Sequence, residues 1–259
     1  MGQRIRRPHH AAGLVACLLA LAAAGPAFSA DRPAFKSGLG LEYLSHAISW
    51  DEGAGSSGFS AVLVTARQVV GFGSGLDLAL SAGIALSDFD GLEFRRLPIS
   101  LDYESGFATG LALGAEARAT VLRSRTIEIQ AVGRIVSSIG FTKTWPLEGF
   151  AVEGTAEGKP TWAQASAGPR LVVKSLGKFV PSVSVSADWL WGRFAMTETL
   201  GELSGSQNQS VKGKSVIDIA LGAEYELSPR FTVEGRLGIL PYSGGADAVV
   251  SFGVLYVFR

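Results

Sequence analysis

The chain has 259 residues, with 23 Lys plus Arg against 23 Asp plus Glu and a single cysteine, Cys17. That balance argues against nucleic acid as a partner, since binding it needs a basic excess to neutralise phosphates, and one cysteine cannot build a disulfide scaffold. The composition is 47% hydrophobic, yet beyond residue 30 no run approaches the ~18 apolar residues of a spanning helix, so alternation must carry the apolar surface.

Arg4, Arg6 and Arg7 precede an apolar run from Ala11 to Ala24 and the short residues around Ala27, Ser29 and Ala30. A basic start, a short apolar centre and a small-residue exit predict a signal peptide over 1–30, leaving 31–259 as one domain. Cleavage there removes three arginines, so 20 basic residues face 23 acidic ones, and no cysteine remains.

From there the pattern has period two, which puts alternate side chains on opposite faces of a strand. Gly38 to Ile48 sets Leu39, Leu41 and Tyr43 against Glu42, Leu44 and His46, and a glycine-rich loop follows Trp50. Phe59 to Val70 alternates weakly. Leu76 to Ser87 is the clearest strand, with Leu78, Leu80 and Ile84 against Asp77, Ser81 and Gly83. Leu92 to Tyr103 predicts another strand, carrying Asp102 on its polar face. Phe107 to Ala119 and Ile127 to Arg134 place Glu116, Arg118, Glu128 and Arg134 opposite their apolar residues.

Residues 137–160 read either as one long loop or as a strand broken at Pro146. Strands return over Trp162 to Val173 and Phe179 to Trp191, the latter with Asp188 on its polar face, before a polar loop over 192–213. Ile217 to Leu227 and Phe231 to Leu240 set Asp218, Glu224, Glu234 and Arg236 against apolar partners. Pro98, Pro169 and Pro181 fall inside predicted strands, where a missing N–H marks a bulge, a strand end or a shifted boundary.

The last strand presents Phe252, Val254, Tyr256 and Phe258 on one face. This ending resembles the C-terminal signature of Gram-negative outer-membrane β-barrel proteins, porin-like or surface-antigen in type, although here Arg259 follows the final Phe. The resemblance implies an antiparallel up-and-down transmembrane barrel in the bacterial outer membrane. It also implies that Phe252, Val254, Tyr256 and Phe258 are read by the assembly machinery, with the bilayer and its lipopolysaccharide as surroundings. An even strand count is required, so twelve strands are expected and ten are the alternative.

In such a barrel Glu42, Asp77, Asp102, Glu116, Arg118, Arg134, Asp188, Glu224, Glu234 and Arg236 face the lumen. Twelve strands tilted by ~40° make a ring about 24 Å across with a bore of about 14 Å, unless the inward arginines pair with the carboxylates and close it. The functional expectation is a small-solute channel or a structural surface protein, with no cofactor and no metal. A lipid-modifying enzyme using His46, the one histidine beyond residue 30, and a secreted soluble β-sheet binding protein are the alternatives.

Overall fold

The computed structural model describes residues 34–51, 57–73, 75–94, 101–103, 106–147 and 154–258. The signal-peptide expectation over 1–30 therefore lies outside the described residues. The strands are β1 (Ala34–Trp50), β2 (Ser57–Phe72), β3 (Leu76–Phe89), β4 (Leu92–Phe94), β5 (Leu101–Tyr103), β6 (Ala108–Arg123) and β7 (Ile127–Gly140). They continue as β8 (Lys143–Leu147), β9 (Gly154–Val173), β10 (Phe179–Leu200), β11 (Leu203–Gly213), β12 (Ile217–Ser228), β13 (Phe231–Tyr242) and β14 (Gly245–Phe258).

One antiparallel sheet holds twelve strands, and within it β1, β2, β3, β6, β7, β9, β10, β12, β13 and β14 form a ring that closes where β14 pairs β1. Both expected counts thus have a counterpart, twelve in the sheet and ten around the ring. The two further strands, β8 and β11, are added at one end.

That end changes the shape of the barrel. β1 leaves β14 after Leu44↔Val249 and takes up β11 from Ile48↔Gly213 to Trp50↔Val211. The Ala47 N–H donates to the Asp247 carboxylate at the change of partner. Here β11 alone stands where β12, β13 and β14 stand lower down, so the circuit shrinks from ten strands to eight. At a tilt of ~40° this narrows the barrel from about 20 Å to about 16 Å across, the size at which inward side chains fill the interior.

Three expectations are corrected. Leu92 to Tyr103 is not a wall strand, because β3 pairs directly with β6 and β4 pairs β5 in a separate two-stranded sheet. The polar stretch 192–213 is the upper half of β10 and its return strand β11, not a loop. Its alternation is polar on both faces, which hides a strand standing beyond the apolar belt. Residues 137–160 hold the end of β7, the short β8 and the start of β9.

Pro169 and Pro181 lie within β9 and β10. The β9–β10 register runs from Ser182↔Val172 to Ser184↔Arg170 and resumes at Ala187↔Ala167, so its interruption falls at Pro169, which has no N–H to give. Pro98 lies outside the described residues.

The outer wall is apolar. Leu39, Leu80 and Leu221 are each more than 60% exposed, with Val64, Ile84, Ile219 and Phe252 about them. A soluble sandwich would bury this face; a closed ring that shows it outward needs lipid around it.

Gly83 shows how closely the strands approach. A Cβ there would collide with the Val64 carbonyl oxygen, whereas one at Gly235 would meet only the Ser251 oxygen at 3.9 Å. Gly83→Ala should therefore cost about 1–3 kcal/mol in urea unfolding of the detergent-solubilised barrel. Gly235→Ala should stay within about 0.5 kcal/mol.

Candidate functional site: the barrel interior

The narrow end of the lumen is filled by side chains from the wall. Phe59, Phe89, Trp162 and Phe194 are almost fully buried, packed with Trp50, Leu44 and Ile48. Phe89 lies 4.7 Å from Phe59 and 5.6 Å from Phe194, centroid to centroid, and Trp162 lies 5.1 Å from Phe59. Since β3 and β10 stand four places apart around the ring, the Phe89–Phe194 contact crosses the lumen. Trp162 anchors the cluster by donating its indole N–H to Ser87 Oγ at 2.8 Å. In water-exposed surroundings such a group would be costly; shut within the narrow ring it is a core.

Next to this plug lies a buried polar trio. Gln164 Nε2 donates to Asp188 Oδ2 at 2.8 Å and stands 3.0 Å from His46 Nε2, and His46 and Asp188 are each 1% exposed. Asp188 Oδ1 is 4.0 Å from His46 Nε2. A side-chain amide nitrogen carries two protons, so one Gln164 nitrogen can serve the carboxylate and the imidazole together, the roles in the second contact depending on the His46 tautomer. Gln164 was not singled out by the sequence. Its place on the face of Trp162 in β9, with His46 and Asp188 inward on β1 and β10, is visible only once register is known.

The middle of the barrel holds the ion pairs. Arg67 is bound by Glu234 and, at 3.0 Å, by Glu116. Arg118 pairs with Glu116 and reaches Glu224 at 3.4 Å and Glu234 at 3.9 Å. Arg170 pairs with Glu224 at 3.0 Å, Arg134 with Glu42, and Arg236 with Asp218. Asp77 stands opposite Arg118 in the β3–β6 register. The five arginines and Glu42, Glu116, Glu224 and Glu234 line a cavity of about 160 Å³, together with Ser166, Ser182, Ser184, Ser186 and Ser251. Toward the turn end of β6, β7 and β9, Glu128 is held by Lys174, by Arg123 at 3.3 Å and by Thr120 at 2.6 Å.

Of the charges expected in the lumen, Glu116, Arg118, Glu224 and Glu234 thus join one connected set, Arg134–Glu42 and Arg236–Asp218 are further pairs, and Asp188 joins the polar trio. Asp102 lies in β5, apart from the ring, with its side chain outside the described residues. Arg67 is a further member, missed because β2 is apolar on both faces over Ala61 to Val64 and its alternation is weak there. The signal that could have found it is Thr65, Arg67 and Val69 continuing the face of Phe59 and Leu63. The open bore of about 14 Å drawn for twelve strands does not describe this interior, because the ring has ten strands and its inward side chains meet.

No known family model matches the sequence, and comparison with curated proteins finds no match. Among solved structures, the outer membrane protease OmpT from Escherichia coli is similar at a TM-score of 0.52 and 12% identity, over 91% of this chain and 99% of that one. The translocator domain of the autotransporter NalP from Neisseria meningitidis gives 0.47 at 11% identity, over 95% and 93%. Ail, the attachment invasion locus protein of Yersinia pestis, gives 0.33 at 9% identity, over 86% and 98%. At such identities the likeness is one of fold, and the first of the three carries it.

The fold is that of the Gram-negative outer-membrane β-barrel proteins. The apolar outer wall fits the lipid surroundings that a closed barrel of this kind requires.

Proposed function

We propose that the protein is a closed structural barrel of the outer-membrane surface, not an open small-solute channel. The observation that supports this reading is the Phe89–Phe194 contact across the lumen, backed by ion pairs that neutralise one another in the layer beneath. A conducting pore needs a continuous wet path, and an apolar plug in the narrow end denies one. In this reading His46, Gln164 and Asp188 are a polar strut joining three walls and not a catalytic group. His46 lies against an amide and beside Phe59, and is 1% exposed.

Residues 1–30 direct export, and Phe252, Val254, Tyr256 and Phe258 are the feature the assembly machinery reads. The β10–β11 hairpin is the surface presented outward.

Single-channel recording of the refolded barrel tests this at two salt concentrations, where the current is expected to stay flat. In parallel Ser184→Cys, which places a thiol in the interior cavity, should resist a membrane-impermeant thiol reagent added to intact cells. Stepwise currents that scale with salt, or rapid labelling from outside, would establish the channel instead.

A further inference from the structure

We propose that the narrow end is a strand-exchange gate, in which β1 trades β11 for β14 and the aromatic plug comes apart. This rests on the closed barrel proposed as the protein's function, which becomes the resting one of two states. Above Leu44, β1 has one edge that two strands can use. Continued beyond Leu44↔Val249, the β1–β14 register sets Ser45 against Ala248, His46 against Asp247, Ala47 against Ala246 and Ile48 against Gly245. Those β14 residues pair with β13 on one side and have no ladder partner on the side of β1 among the described residues. β11 holds the β1 edge instead, by the pairs from Ile48↔Gly213 to Trp50↔Val211. Two main-chain bonds flank them, from the Asp51 N–H to the Ser210 oxygen at 3.1 Å and from the Lys214 N–H to the Ala47 oxygen at 2.8 Å. Exchange therefore gives up three pairs and two flanking bonds and forms four pairs.

The two pairings are compatible in their faces. His46 and Ile48 are buried on the inward parity of β1, and Asp247 and Gly245 share the parity of the buried Val249 and Leu255 on β14. No residue has to cross from lumen to lipid. The closed state also leaves a group that the exchange would satisfy. His46 Nδ1 is buried with no hydrogen-bond partner among the described residues, and such a group costs free energy until one is found. An imidazole with its proton on Nδ1 donates to a carboxylate, and exchange sets Asp247 directly opposite. In the closed state the same carboxylate caps the Ala47 N–H one residue away, which makes Asp247 the pivot between the two pairings. Opening follows from the strand count. Val211 leaves the core with β11, Trp50 loses its partner, and the circuit at that level passes from eight strands to ten, from about 16 Å to about 20 Å across. Phe89 and Phe194 then no longer span the lumen. Two discrete pairings of one edge make a bistable element, and burial of the plug keeps the closed one in excess.

Cysteine pairs in the refolded protein carrying Cys17→Ser test this, because antiparallel partners lie about 5 Å apart, within disulfide reach. Ser49→Cys with Lys212→Cys, partners in the closed state, should cross-link at once and stay silent in a planar bilayer. Ile48→Cys with Gly245→Cys should cross-link under mild oxidation, and the oxidised barrel should carry stepwise currents that dithiothreitol stops. Lys214→Pro removes a main-chain bond that belongs to the closed state, so it should speed this second cross-link about fivefold. Heat-modified gel mobility confirms that each variant folds. The exchange would be overturned by the absence of a cross-link at 48 and 245 where 49 and 212 join, by a cross-linked barrel without current, or by an unchanged rate with Lys214→Pro. Currents from the wild type before any oxidation would instead overturn the closed resting state, whatever the cross-links show.

Discussion

Phe89→Ala is expected to lower the stability of the barrel by about 4 kcal/mol, read from urea unfolding of the protein in detergent or lipid vesicles. Phe89 is 1% exposed and touches Phe59, Trp50 and Phe194, which come from three other strands. Removing its ring takes away the transfer free energy of a large aromatic and leaves a cavity. The walls cannot collapse into it, because interstrand hydrogen bonds hold the ring at fixed diameter. Leu80→Ala on the lipid face should cost less, since lipid chains refill the space and no cavity persists. Equal costs at the two positions would show that the aromatic cluster is not the core of the narrow end.

Arg236→Met is the second large effect, at about 3 kcal/mol. It strands the Asp218 carboxylate, which is 3% exposed and has Arg236 as its ion-pair partner. Asp218→Asn added to Arg236→Met should recover most of the loss, because the buried charge is then gone. The double-mutant cycle separates this from simple loss of packing, and additive costs would mean that the two residues do not act as a pair. Arg118 offers no such clean cycle. It contacts Glu116, Glu224 and Glu234 together, and Arg67 and Arg170 share those carboxylates.

Much of the wall was legible. In β3 and β12 the leucines and isoleucines at alternate positions are the exposed outer residues, and Asp77, Asp218 and Glu224 lie on the other side. Period two also placed Arg118, Arg134, Glu116 and Glu234 on one inward face. Where both faces are alike the pattern is silent. Trp50, Phe59, Phe89 and Phe194 carry no sign in the sequence that they meet, and they are the plug in space. The 203–213 strand looks like a loop, because polar alternation with polar carries no facial signal.

The sequence by itself determined an all-β chain of alternating strands with one apolar and one charged face, since period two puts alternate side chains on opposite sides; that the apolar face is the outer one follows from the closed ring. Within the clear strands it also determined which charges share a face, because that depends only on parity along each strand; Asp102, which lies apart from the ring, and Arg67, on a strand of weak alternation, escaped it. The tertiary structure alone decided how many strands close the ring, that β11 replaces three strands at the narrow end, and which carboxylate meets which arginine. Those features rest on register between strands far apart in the chain, such as Ile48 with Gly213 or Arg67 with Glu234. Local periodicity carries no information about such partners; only the closed circuit of hydrogen bonds fixes them.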